Sequence, residues 1–458
     1  MEPLPCVLTI AGSDSGGGAG IQADLKTITM LGAYGASVIT ALTAQNTMGV
    51  TAIHAPSPDF VSQQMQAVLD DIKFGAAKTG ILFSAPIIKA VAPFLERKSF
   101  PLVVDPVCVA TSGAKLLEDD AVRAMMDFVF PYADLLTPNI PEAELFAGMK
   151  IKDQDDVTKA ADKLLTMGPK AVLIKGGHLE SVTSTDWFAQ KHYKSIPLIQ
   201  QRVDTKNSHG TGCTLSAAIA TGLAQGMEMV HAVRRAQQYL NLGLRAGFDV
   251  GEGSGPPNHL APMLQENAKA DVLAQLDKAG RRISSMANFA SLVPEVRMNL
   301  AIALPFADDE KSVAAFTGGI VSTRSGDVDI AGYPQFGASV QVAKGLVAAR
   351  RVCGDIRCMI NLRQSRSVLD SLEKVSVVTA WGDEENKPPY IINSDGVWEE
   401  WVVYEAMKNH PAPESVRAVC DKGGPGREPL VRLFAENCAD LMAKLCTLID
   451  CSDVGVGC

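Results

Sequence analysis

The sequence lacks the features that mark membrane, secreted and nucleic-acid-binding proteins. It contains no run of about 18 uncharged apolar residues, so we predict no transmembrane helix. Residues 1–5 carry neither a basic segment nor an apolar core, and we expect no secretory signal and a cytoplasmic protein. Basic residues are not in excess, because 42 Lys and Arg stand against 51 Asp and Glu, for a formal net charge of −9. We therefore expect small-molecule partners, with no nucleic acid and no membrane surface among them.

Paired cysteines are also absent. The 10 cysteines include no Cys-x-x-Cys pair, and we expect most of them to be small buried hydrophobes. Four of them crowd the C-terminus, at positions 438, 446, 451 and 458, but no histidine stands beside them at zinc-binding spacing. We therefore expect no structural metal site there.

What the sequence does contain is a regular alternation of strand and helix signals. The chain of 458 residues, 47% of them hydrophobic, is long enough for about two or three domains. Between residues 5 and 246, short β-branched runs alternate with amphipathic runs, a pattern typical of parallel α/β folds. Such a sheet carries helices on both faces and collects ligands at the carboxyl ends of its strands. We predict strands over residues 7–10, 36–43, 102–107, 133–137 and 171–175, and helices over residues 21–31, 60–71, 87–96, 121–130, 157–167, 214–225 and 230–246.

The pattern changes after a segment rich in glycine and proline. We interpret residues 251–257 as a boundary or linker that follows a first domain of residues 1–260. The mixed order beyond it predicts a second, smaller α/β domain over residues 270–458. That domain has predicted helices over residues 268–292, 340–351, 368–374, 398–407 and 439–449, predicted strands over residues 297–304, 358–362, 375–380, 416–420 and 429–434, and a hairpin over residues 319–331 with its turn at 325–327.

The most informative segment, residues 209–214, reads His-Gly-Thr-Gly-Cys-Thr and leads into a helix-forming stretch. A glycine-rich turn that opens a helix leaves N–H groups unpaired at the positive end of the helix dipole, so Gly210, Thr211 and Gly212 predict a phosphate site. Cys213 lies in the first turn, where the dipole would lower the pKa of the thiol and make it available as a base for a hydroxyl. The alternative is a buried cysteine at an ordinary glycine-rich turn.

Further chemistry-bearing residues stand where predicted strands end. The glycine-rich segment 11–20, which includes Gly12, lets backbone approach a ligand closely, and a flexible loop is the alternative. It lacks the Gly-Lys-Ser/Thr ending of a P-loop. Gln45 brings an amide that can read a ring carrying nitrogens and an amino group. Asp105 ends another strand, and Lys175 supplies a cation within Lys-Gly-Gly-His, with a solvated lysine as the alternative.

Asn139 and Glu142 follow the predicted strand over residues 133–137 and enter a helix. Their spacing of three residues places an amide and a carboxylate on one helix face. That pair suits a hydrated Mg²⁺ ion that bridges nucleotide phosphates, with contacts largely through water. The alternative is a helix start in which Pro141 and an acidic first-turn residue are simply favourable.

In this order, and each at the carboxyl end of a strand, these residues resemble the ribokinase-like hydroxymethylpyrimidine and phosphomethylpyrimidine kinases, the ThiD group. The resemblance covers residues 5–260 through the motifs AGSDSGGGAGIQADLK at 11–26, TALTAQNT at 40–47 and KNSHGTGCT at 206–214. It implies ATP-dependent phosphorylation of 4-amino-5-hydroxymethyl-2-methylpyrimidine and then of its monophosphate, with Mg²⁺. We also expect a homo-oligomer.

The resemblance implies roles for particular residues, in three groups. Substrate binding would fall to Gly12, Asp24, Gln45 and Val107, nucleotide and Mg²⁺ binding to Asp105, Asn139 and Glu142, and catalysis to Lys175, Gly210, Thr211, Gly212 and Cys213. Most ribokinase relatives carry aspartate as the base where this chain has Cys213. That difference argues against the alternative of a pyridoxal or sugar kinase.

Residues from about 270 to 436 resemble the ThiN-type thiamine-phosphate synthase domain. The motifs are VPEVRMN at 293–299, FGAS at 336–339, MINLR at 359–363 and DKGGPGREP at 421–429. Such a synthase joins the pyrimidine diphosphate to thiazole phosphate and releases pyrophosphate. The resemblance implies that the phosphates would contact Arg297, Ser339, Lys344, Asn361, Arg363 and Arg427. For each basic residue, an ordinary surface base is the alternative.

Two departures from the ThiN pattern bear on activity. Active members carry Arg in Pro-Gly-Arg-Ile-Val, where this chain has Gly319, and His in Phe-Gly-Ala-Ser-x-His-Val-Ala, where it has Gln341. Neither replacement supplies a positive charge for a departing diphosphate. Two hypotheses therefore stand: a bifunctional enzyme with an altered second site, or a kinase whose C-terminal domain binds a thiamine phosphate and regulates the kinase or stabilises the assembly.

Overall fold

The computed structural model describes residues 3–108, 117, 119–176, 183–383, 387–388, 391, 396–424 and 426–453. The chain divides into two compact units, Met1–Met263 and Leu264–Cys458. Within the described residues, no helix combines the length and the apolar character needed to cross a membrane. Of the four clustered C-terminal cysteines, Cys458 lies outside the described residues.

The described part of the first unit contains one sheet of nine strands. They are β1 (Cys6–Asp14), β2 (Tyr34–Asn46), β3 (Gly49–His54), β4 (Ala76–Thr79), β5 (Leu102–Val104), β6 (Leu135–Leu136), β7 (Ala171–Ile174), β8 (Thr183–Gln190) and β9 (Ile196–Gln201). Their order is β3-β2-β1-β4-β5-β6-β7-β8-β9. The central six strands are parallel, whereas β3 at one edge and β8 and β9 at the other run antiparallel to their neighbours.

Helices cover both faces of this sheet, as the sequence predicts. They are α1 (Gly20–Met30), α2 (Pro58–Asp71), α3 (Ala85–Glu96), α4 (Asp119–Phe128), α5 (Ile140–Ala147), α6 (Gln154–Thr166), α7 (Thr211–Ala224) and α8 (Met229–Arg245). Helices α2 to α6 share one apolar core with the sheet, and α1, α7 and α8 share the other. Strand β1 alternates between them, since Leu8 and Ile10 enter the first core and Val7 enters the second.

Four strands of the first unit were not predicted from the sequence. Strand β4 reads Ala-Ala-Lys-Thr, which has no β-branched run, yet all four residues are buried. Strands β3, β8 and β9 lie at or next to the sheet edges and carry many exposed or half-buried residues, so their apolar signal is weak. Two predicted strands are also shorter than expected, because β5 ends at Val104 and β6 has only two residues.

The predicted linker over residues 251–257 is part of the first unit. The Ser254 N–H donates to the Thr47 carbonyl oxygen at 3.2 Å, and the Gly255 carbonyl accepts from the His209 N–H at 3.0 Å. A Cβ atom at Gly253 would lie 2.0 Å from the Thr47 carbonyl oxygen, so glycine permits this close approach. The linker interpretation is corrected: glycine and proline here serve tight packing against the loop after β2.

The second unit holds a seven-stranded sheet and a two-stranded hairpin in its described part. The sheet strands are β10 (Leu300–Ala303), β11 (Val313–Phe316), β14 (Pro334–Phe336), β15 (Cys358–Arg363), β16 (Thr379–Trp381), β17 (Ala418–Cys420) and β18 (Leu430–Ala435), and the hairpin is β12 (Ile320–Ser322) with β13 (Val328–Ile330). The sheet order is β14-β11-β10-β15-β18-β17-β16. The hairpin is confirmed, and Gly326 has a φ of +85° in its turn.

Helices lie on both faces of the second sheet. Helices α9 (Ala261–Ser284), α11 (Arg366–Lys374) and α13 (Cys438–Asp453) contribute to one core, and α10 (Val340–Val352) and α12 (Val397–Lys408) to the other. The helix predicted over residues 268–292 ends early. Asn288, with a φ of +61°, begins a separate short 3₁₀ turn over Phe289–Leu292.

Candidate active site

A cavity of about 790 Å³ lies at the carboxyl ends of the parallel strands in the first unit. This volume is within the range of roughly 300–1,000 Å³ that is typical of small-molecule sites. The cavity gathers every kinase residue that the sequence singled out except Asp24. Those residues are Gly12, Gln45, Asp105, Val107, Asn139, Glu142, Lys175, Gly210, Thr211, Gly212 and Cys213.

Helix α7 begins at the wall of this cavity. Gly210 precedes it with a φ of +78°, and a Cβ atom there would lie 1.9 Å from the Gly18 carbonyl oxygen. Within the described chain, no acceptor is found for the N–H groups of Gly212 and Cys213. These amides and the positive end of the helix dipole are therefore available to an anion in the cavity.

An ion pair between a buried carboxylate and a partly exposed lysine lies next to this helix end. The Lys175 Nζ atom lies 2.8 Å from Asp105 Oδ1, and a Cβ atom at Gly212 would lie 3.2 Å from Asp105 Oδ2 and 3.3 Å from Lys175 Nζ. Burial lowers the pKa of Lys175, but the charges of Asp105 and Glu142 raise it by a larger amount. The net shift is therefore upward, and the ammonium stays protonated. Glycine at position 212 thus lets the pair approach the amides of α7.

Asp105 has one carboxylate oxygen without a partner. The residue is 1% exposed, Oδ1 accepts from Lys175 and from the Thr137 hydroxyl at 3.3 Å, and Oδ2 has no hydrogen bond within the described chain. An unpaired buried carboxylate oxygen is costly unless a cation or a donor completes it. Asp105 Oδ2 therefore fits a hard cation such as Mg²⁺ at this wall of the cavity.

Asn139 and Glu142 form a capping box at the start of α5. Asn139 Oδ1 accepts from the Glu142 N–H at 2.8 Å, and Glu142 Oε2 accepts from the Asn139 N–H at 2.9 Å. The helix-start interpretation is confirmed, while both side chains still line the cavity. Burial raises the pKa of Glu142 to about 7 despite the opposing charge of Lys175. The described residues contain no cluster of three or more His, Cys, Asp or Glu side chains arranged to hold a metal ion.

The pKa prediction for Cys213 is wrong. Burial raises the pKa of the thiol to about 11, although the Lys78 charge and a hydrogen bond from the Gly20 N–H lower it. The charges of Asp24 and Asp105 add to the effect of burial, so the net shift is upward despite the position of Cys213 at the start of a helix. Cys213 therefore lines the cavity as a thiol, not as a thiolate, at neutral pH.

The direct contact predicted between Asp24 and a pyrimidine is also corrected. Asp24 has no exposed surface and does not line the cavity. Its carboxylate lies 3.0 Å from Lys78 Nζ and accepts from the Thr9 hydroxyl at 2.6 Å. Burial lowers the pKa of Lys78, but the charges of Asp24, Cys213 and Asp105 raise it above its ordinary value. Asp24 thus holds a buried cation, and its influence on Cys213 is electrostatic.

Sequence reasoning missed Lys78 and the pair formed by Asp14 and His209. A signal that could have identified Lys78 is its position as a charged residue inside the short buried strand β4. His209 Nε2 lies 2.9 Å from Asp14 Oδ2, which also accepts the N–H groups of Gly18 and Ala19. Both members of this pair stand in the glycine-rich segments that the sequence analysis singled out.

The wall near Val107 also contains a second cysteine. Val107 lines the cavity as predicted for its position, and the neighbouring Cys108 does so too. Burial raises the pKa of Cys108 to about 12, so it contributes a neutral surface. Gly12 lines the cavity as well, and a Cβ atom there would make only ordinary contacts, the nearest at 3.5 Å. Gly177 and His178, which follow Lys175, lie outside the described residues.

In the second unit, Asn361 does not have the predicted role of a phosphate ligand. The residue is 5% exposed, its Oδ1 accepts from the Asn299 N–H at 2.7 Å, and its Nδ2 donates to the Arg297 carbonyl at 2.9 Å. Because the amide is used by the backbone, that prediction is corrected. Asn361 instead supports Arg297, an exposed residue whose φ of +77° is rare for a side chain of this size.

The other predicted phosphate contacts of the second unit lie on different elements. Ser339 is the N-cap of α10, and its side chain makes no capping hydrogen bond. Lys344 lies half-buried on α10, and Arg363 is exposed at the end of β15. The guanidinium of Arg427 stacks 3.7 Å from the centre of the Trp398 ring.

The two departures from the ThiN pattern differ in how strongly the backbone restricts the residue at each position. Gly319 has a φ of +77°, and a Cβ atom there would lie 2.7 Å from the Met298 carbonyl oxygen. The backbone at position 319 is therefore shaped for glycine, and an arginine would be strained. Gln341, in contrast, is exposed in the first turn of α10, where histidine would fit without backbone change.

Comparisons with known proteins agree with this geometry. The phosphomethylpyrimidine kinase model matches residues 14–258, and the model of the thiamine-phosphate synthase ThiN matches residues 275–447. The hydroxymethylpyrimidine/phosphomethylpyrimidine kinase of Rhizobium meliloti is 49% identical over 255 residues, which is 55% of this chain and 96% of that protein. The thiamine biosynthesis bifunctional protein ThiED of Geobacter sulfurreducens is 50% identical over 260 residues, 56% of this chain but 53% of its own length.

Solved structures of similar proteins support the fold. An ADP complex of Bacillus subtilis pyridoxal kinase is 33% identical, with a TM-score of 0.54, and the match covers 57% of this chain and 99% of that one. Staphylococcus aureus pyridoxal kinase in complex with AMP-PCP and pyridoxal is 32% identical, with a TM-score of 0.52, over 56% of this chain and 94% of that one. The first unit thus has the ribokinase-like fold of these vitamin kinases, and the chain belongs to the phosphomethylpyrimidine kinase family of thiamine biosynthesis, here fused to a ThiN domain.

Proposed function

We propose that residues 1–260 transfer the γ-phosphoryl group of ATP to the hydroxymethyl group of 4-amino-5-hydroxymethyl-2-methylpyrimidine, and then to its monophosphate. The observation that carries this proposal is the meeting of Asp105, Lys175 and the start of α7 at one wall of the cavity. A cation, free amides and an unpaired carboxylate oxygen are what a nucleotide triphosphate with its magnesium ion requires.

The roles of the residues follow from charge. Lys175 and the amides of Gly212 and Cys213 stabilise negative charge on the transferred phosphoryl group. Asp105, through its unpaired Oδ2, and Glu142 would hold Mg²⁺, and bound Mg²⁺ would neutralise phosphate oxygens of the nucleotide. Asn139 supports Glu142 through the capping box. Gln45 and Val107, which line the same cavity, would contact the pyrimidine.

Cys213 is the proposed base for the acceptor hydroxyl. Only its thiolate accepts a proton, and with a pKa of about 11 the thiolate is a minor species at neutral pH. Lys78 lies below this site as a permanent cation and favours the thiolate. Proton removal by Cys213 therefore becomes easier as the pH rises.

Product analysis tests the kinase proposal. The purified full chain is incubated with ATP, Mg²⁺ and the pyrimidine alcohol, and the mono- and diphosphate are followed by mass spectrometry. We expect both products, and a kcat/KM for the pyrimidine alcohol above that for pyridoxal. Asp105→Asn should lose most of the activity. Preferential phosphorylation of pyridoxal would favour the alternative of a pyridoxal kinase. Pyridoxal is included because two of the similar solved structures are pyridoxal kinases.

For residues 270–458 we propose a binding domain for thiamine phosphate without synthase turnover. The observation that favours this over an active synthase is Gly319, which stands in place of the arginine of the active ThiN pattern and has a backbone conformation in which an arginine would be strained. Arg297, Arg363 and Arg427 remain as cations that can bind phosphate. An inherited synthase role is the competing candidate.

Two measurements on the full chain separate these candidates. Pyrimidine diphosphate, thiazole phosphate and Mg²⁺ are supplied without ATP, and thiamine phosphate is assayed, while calorimetry measures binding of thiamine phosphate. We expect binding without turnover. Formation of thiamine phosphate by the full chain but not by Arg297→Ala would establish the synthase instead.

We also propose that the protein acts in the cytoplasm and as a homo-oligomer. Exposed apolar side chains at the β2–β3 edge, Leu42 and Met48, support self-association. Light scattering coupled to size-exclusion chromatography tests the oligomeric state, and a monomer at micromolar concentration would contradict it.

A further inference from the structure

The amide of Gln45 lies between two groups that decide which of its ends faces the substrate. Its Nε2 is placed 3.1 Å from His209 Nε2, and its Oε1 is placed 3.1 Å from the Thr43 hydroxyl. The two ends of a primary amide have nearly the same shape, so the hydrogen-bond partners determine its orientation. Both partners have constraints of their own.

The first constraint comes from Asp14. Its carboxylate accepts the N–H groups of Gly16, Gly18 and Ala19 at 2.8–3.0 Å. Burial raises the pKa of Asp14, but hydrogen bonds from His209 and from the N–H groups of Ala19 and Gly16 lower it by more, so the net shift is downward and the carboxylate is ionised. An ionised carboxylate can only accept hydrogen bonds. His209 Nε2, 2.9 Å from Asp14 Oδ2, must therefore carry a proton.

The second constraint comes from Thr43. Its hydroxyl has one hydrogen, and the Ser13 carbonyl oxygen accepts it at 2.9 Å. That hydroxyl cannot also donate to Gln45, but its oxygen can accept from a Gln45 N–H group. The His209 Nε2 proton is directed to Asp14, so this nitrogen has no lone pair to accept a Gln45 N–H group, whereas the Thr43 oxygen can accept one. Both neighbours therefore favour the amide turned over, with Oε1 toward His209 and Nε2 toward Thr43.

We propose that Asp14, His209 and Thr43 are positioning residues that fix Gln45 with one free N–H group toward the substrate, so that Gln45 reads a ring-nitrogen acceptor and not the amino group of the pyrimidine. This inference rests on the proposed function, because it names the part of the pyrimidine that Gln45 recognises. All four residues line the cavity that holds the proposed active site. Glycine at position 18 allows the His209 ring to take this position, since a Cβ atom there would lie 2.4 Å from the ring.

Paired substrates test the inference. The pyrimidine alcohol is compared with the two analogues in which one ring nitrogen at a time is replaced by CH. For one analogue, we expect the ratio of kcat/KM for the pyrimidine alcohol to kcat/KM for the analogue to be about 10 to 100 with the wild-type protein. The reason is that the Gln45 N–H donor is left without an acceptor. Thr43→Val, which removes the hydroxyl at nearly constant shape, should reduce that ratio to about threefold, since the amide can then turn. Thr43→Ser should keep the wild-type ratio.

The outcomes distinguish the inference from the function on which it rests. If the wild-type protein phosphorylates neither the pyrimidine alcohol nor its monophosphate, the proposed function fails. If it phosphorylates the alcohol but Thr43→Val lowers kcat/KM equally for all three compounds, Thr43 is merely structural and the inference is overturned. Equal use of all three compounds by the wild-type protein overturns it as well.

A spectroscopic measurement on the unaltered protein avoids any folding defect of a variant. Long-range ¹H–¹⁵N correlation spectra report which ring nitrogen of His209 carries a proton, with His209→Gln used to assign the signal. We expect a protonated Nε2. An Nε2 without a proton would contradict the orientation derived for Gln45.

Discussion

At the residue scale, the chemistry of the cavity depends on charges that are held away from water. Asp105 and Lys175 are paired at 2.8 Å, Glu142 is buried beside them, and the Cys213 thiol lies within the influence of both Lys78 and Asp105. Coulomb interactions are strong where water is excluded, so the protonation of each group depends on its neighbours. The pH dependence of the reaction should therefore report these groups directly.

Glu142 should give the acid limb of the pH–rate profile. Burial raises its pKa from 4.5 to about 7, so its carboxylate forms only as the pH rises through neutrality. If the ionised form helps to hold Mg²⁺, its protonation lowers kcat/KM below pH 7 by a further factor of about ten per pH unit, in addition to the decline that protonation of Cys213 causes. Glu142→Gln should be less active and lack this limb, whereas Glu144→Gln, on the same helix but outside the cavity lining, should keep it. A break in slope near pH 7 that survives in Glu142→Gln contradicts the assignment.

Cys213 should govern the rate on the alkaline side. With a pKa of about 11, the thiolate fraction rises by about tenfold per pH unit from pH 8 toward pH 10, and kcat should rise with it. Cys213→Ala should lower kcat by about 100-fold or more and abolish that rise, while calorimetry shows unchanged nucleotide affinity. Full activity in Cys213→Ala would remove this residue from the mechanism.

The sequence predicted which residues line the cavity better than it predicted their state. Positions at the carboxyl ends of parallel strands are fixed by topology, and Gln45, Asp105 and Lys175 fall there. The depth of a side chain depends instead on the helices packed around it. Asp24 lies on α1 beneath the cavity and has no exposed surface. Desolvation and the charges of Asp24 and Asp105 raise the pKa of Cys213, so the pKa prediction based on the helix dipole failed.

At the element scale, two helix starts shape the site. Helix α7 brings its free amides against the Asp105–Lys175 pair, and helix α5 brings Glu142 to the same wall through its capping box. Both starts were predicted, because glycine and the Asn-x-x-Glu spacing are local signals. Strand β4 was not, since its burial comes from neighbours on both sides and its four residues carry no strand pattern.

Gly212→Ala tests the contact between α7 and the ion pair. The added Cβ would lie 3.2 Å from Asp105 Oδ2 and 3.3 Å from Lys175 Nζ, the terminal atoms of two side chains. We expect the helix to form and the pair to be displaced, with kcat lowered by about 10- to 100-fold and little change in Tm. Gly354→Ala, where a Cβ meets nothing within 4 Å, is the control. A loss of Tm that matches the loss of activity would indicate a folding defect instead.

The whole molecule consists of two compact units with separate cores, each built on its own sheet. Their existence was predictable from the change in sequence pattern. The predicted end of the first domain at residue 260 lies close to the division at Met263. The packing of residues 251–257 against the loop after β2 was not predictable, because their composition resembles a linker. Composition reveals that a segment cannot be a helix, but only its tertiary hydrogen bonds reveal where it lies.

Arg432 is the key polar residue in the core of the second unit. It is 1% exposed, its guanidinium forms two hydrogen bonds with Glu399 at 2.6 and 2.7 Å, and it also contacts Asp421. Arg432→Met would leave two buried carboxylates unpaired and should cost about 3–5 kcal/mol of stability. Hydrogen exchange in β18 and α12 under mild denaturant checks this. Arg366→Met, at a highly exposed position, should change the stability of these elements by less than about 0.5 kcal/mol.

The central claim is that Lys175 and the start of α7 stabilise the phosphoryl group as it moves. The most direct test is the steady-state rate of Lys175→Met with ATP, Mg²⁺ and the pyrimidine alcohol, compared with Lys170→Met at the surface. Loss of transition-state charge stabilisation predicts a kcat lowered by about 100-fold or more, with the KM for the pyrimidine alcohol changed by less than about threefold, and no effect at position 170. An unchanged kcat in Lys175→Met would contradict the account.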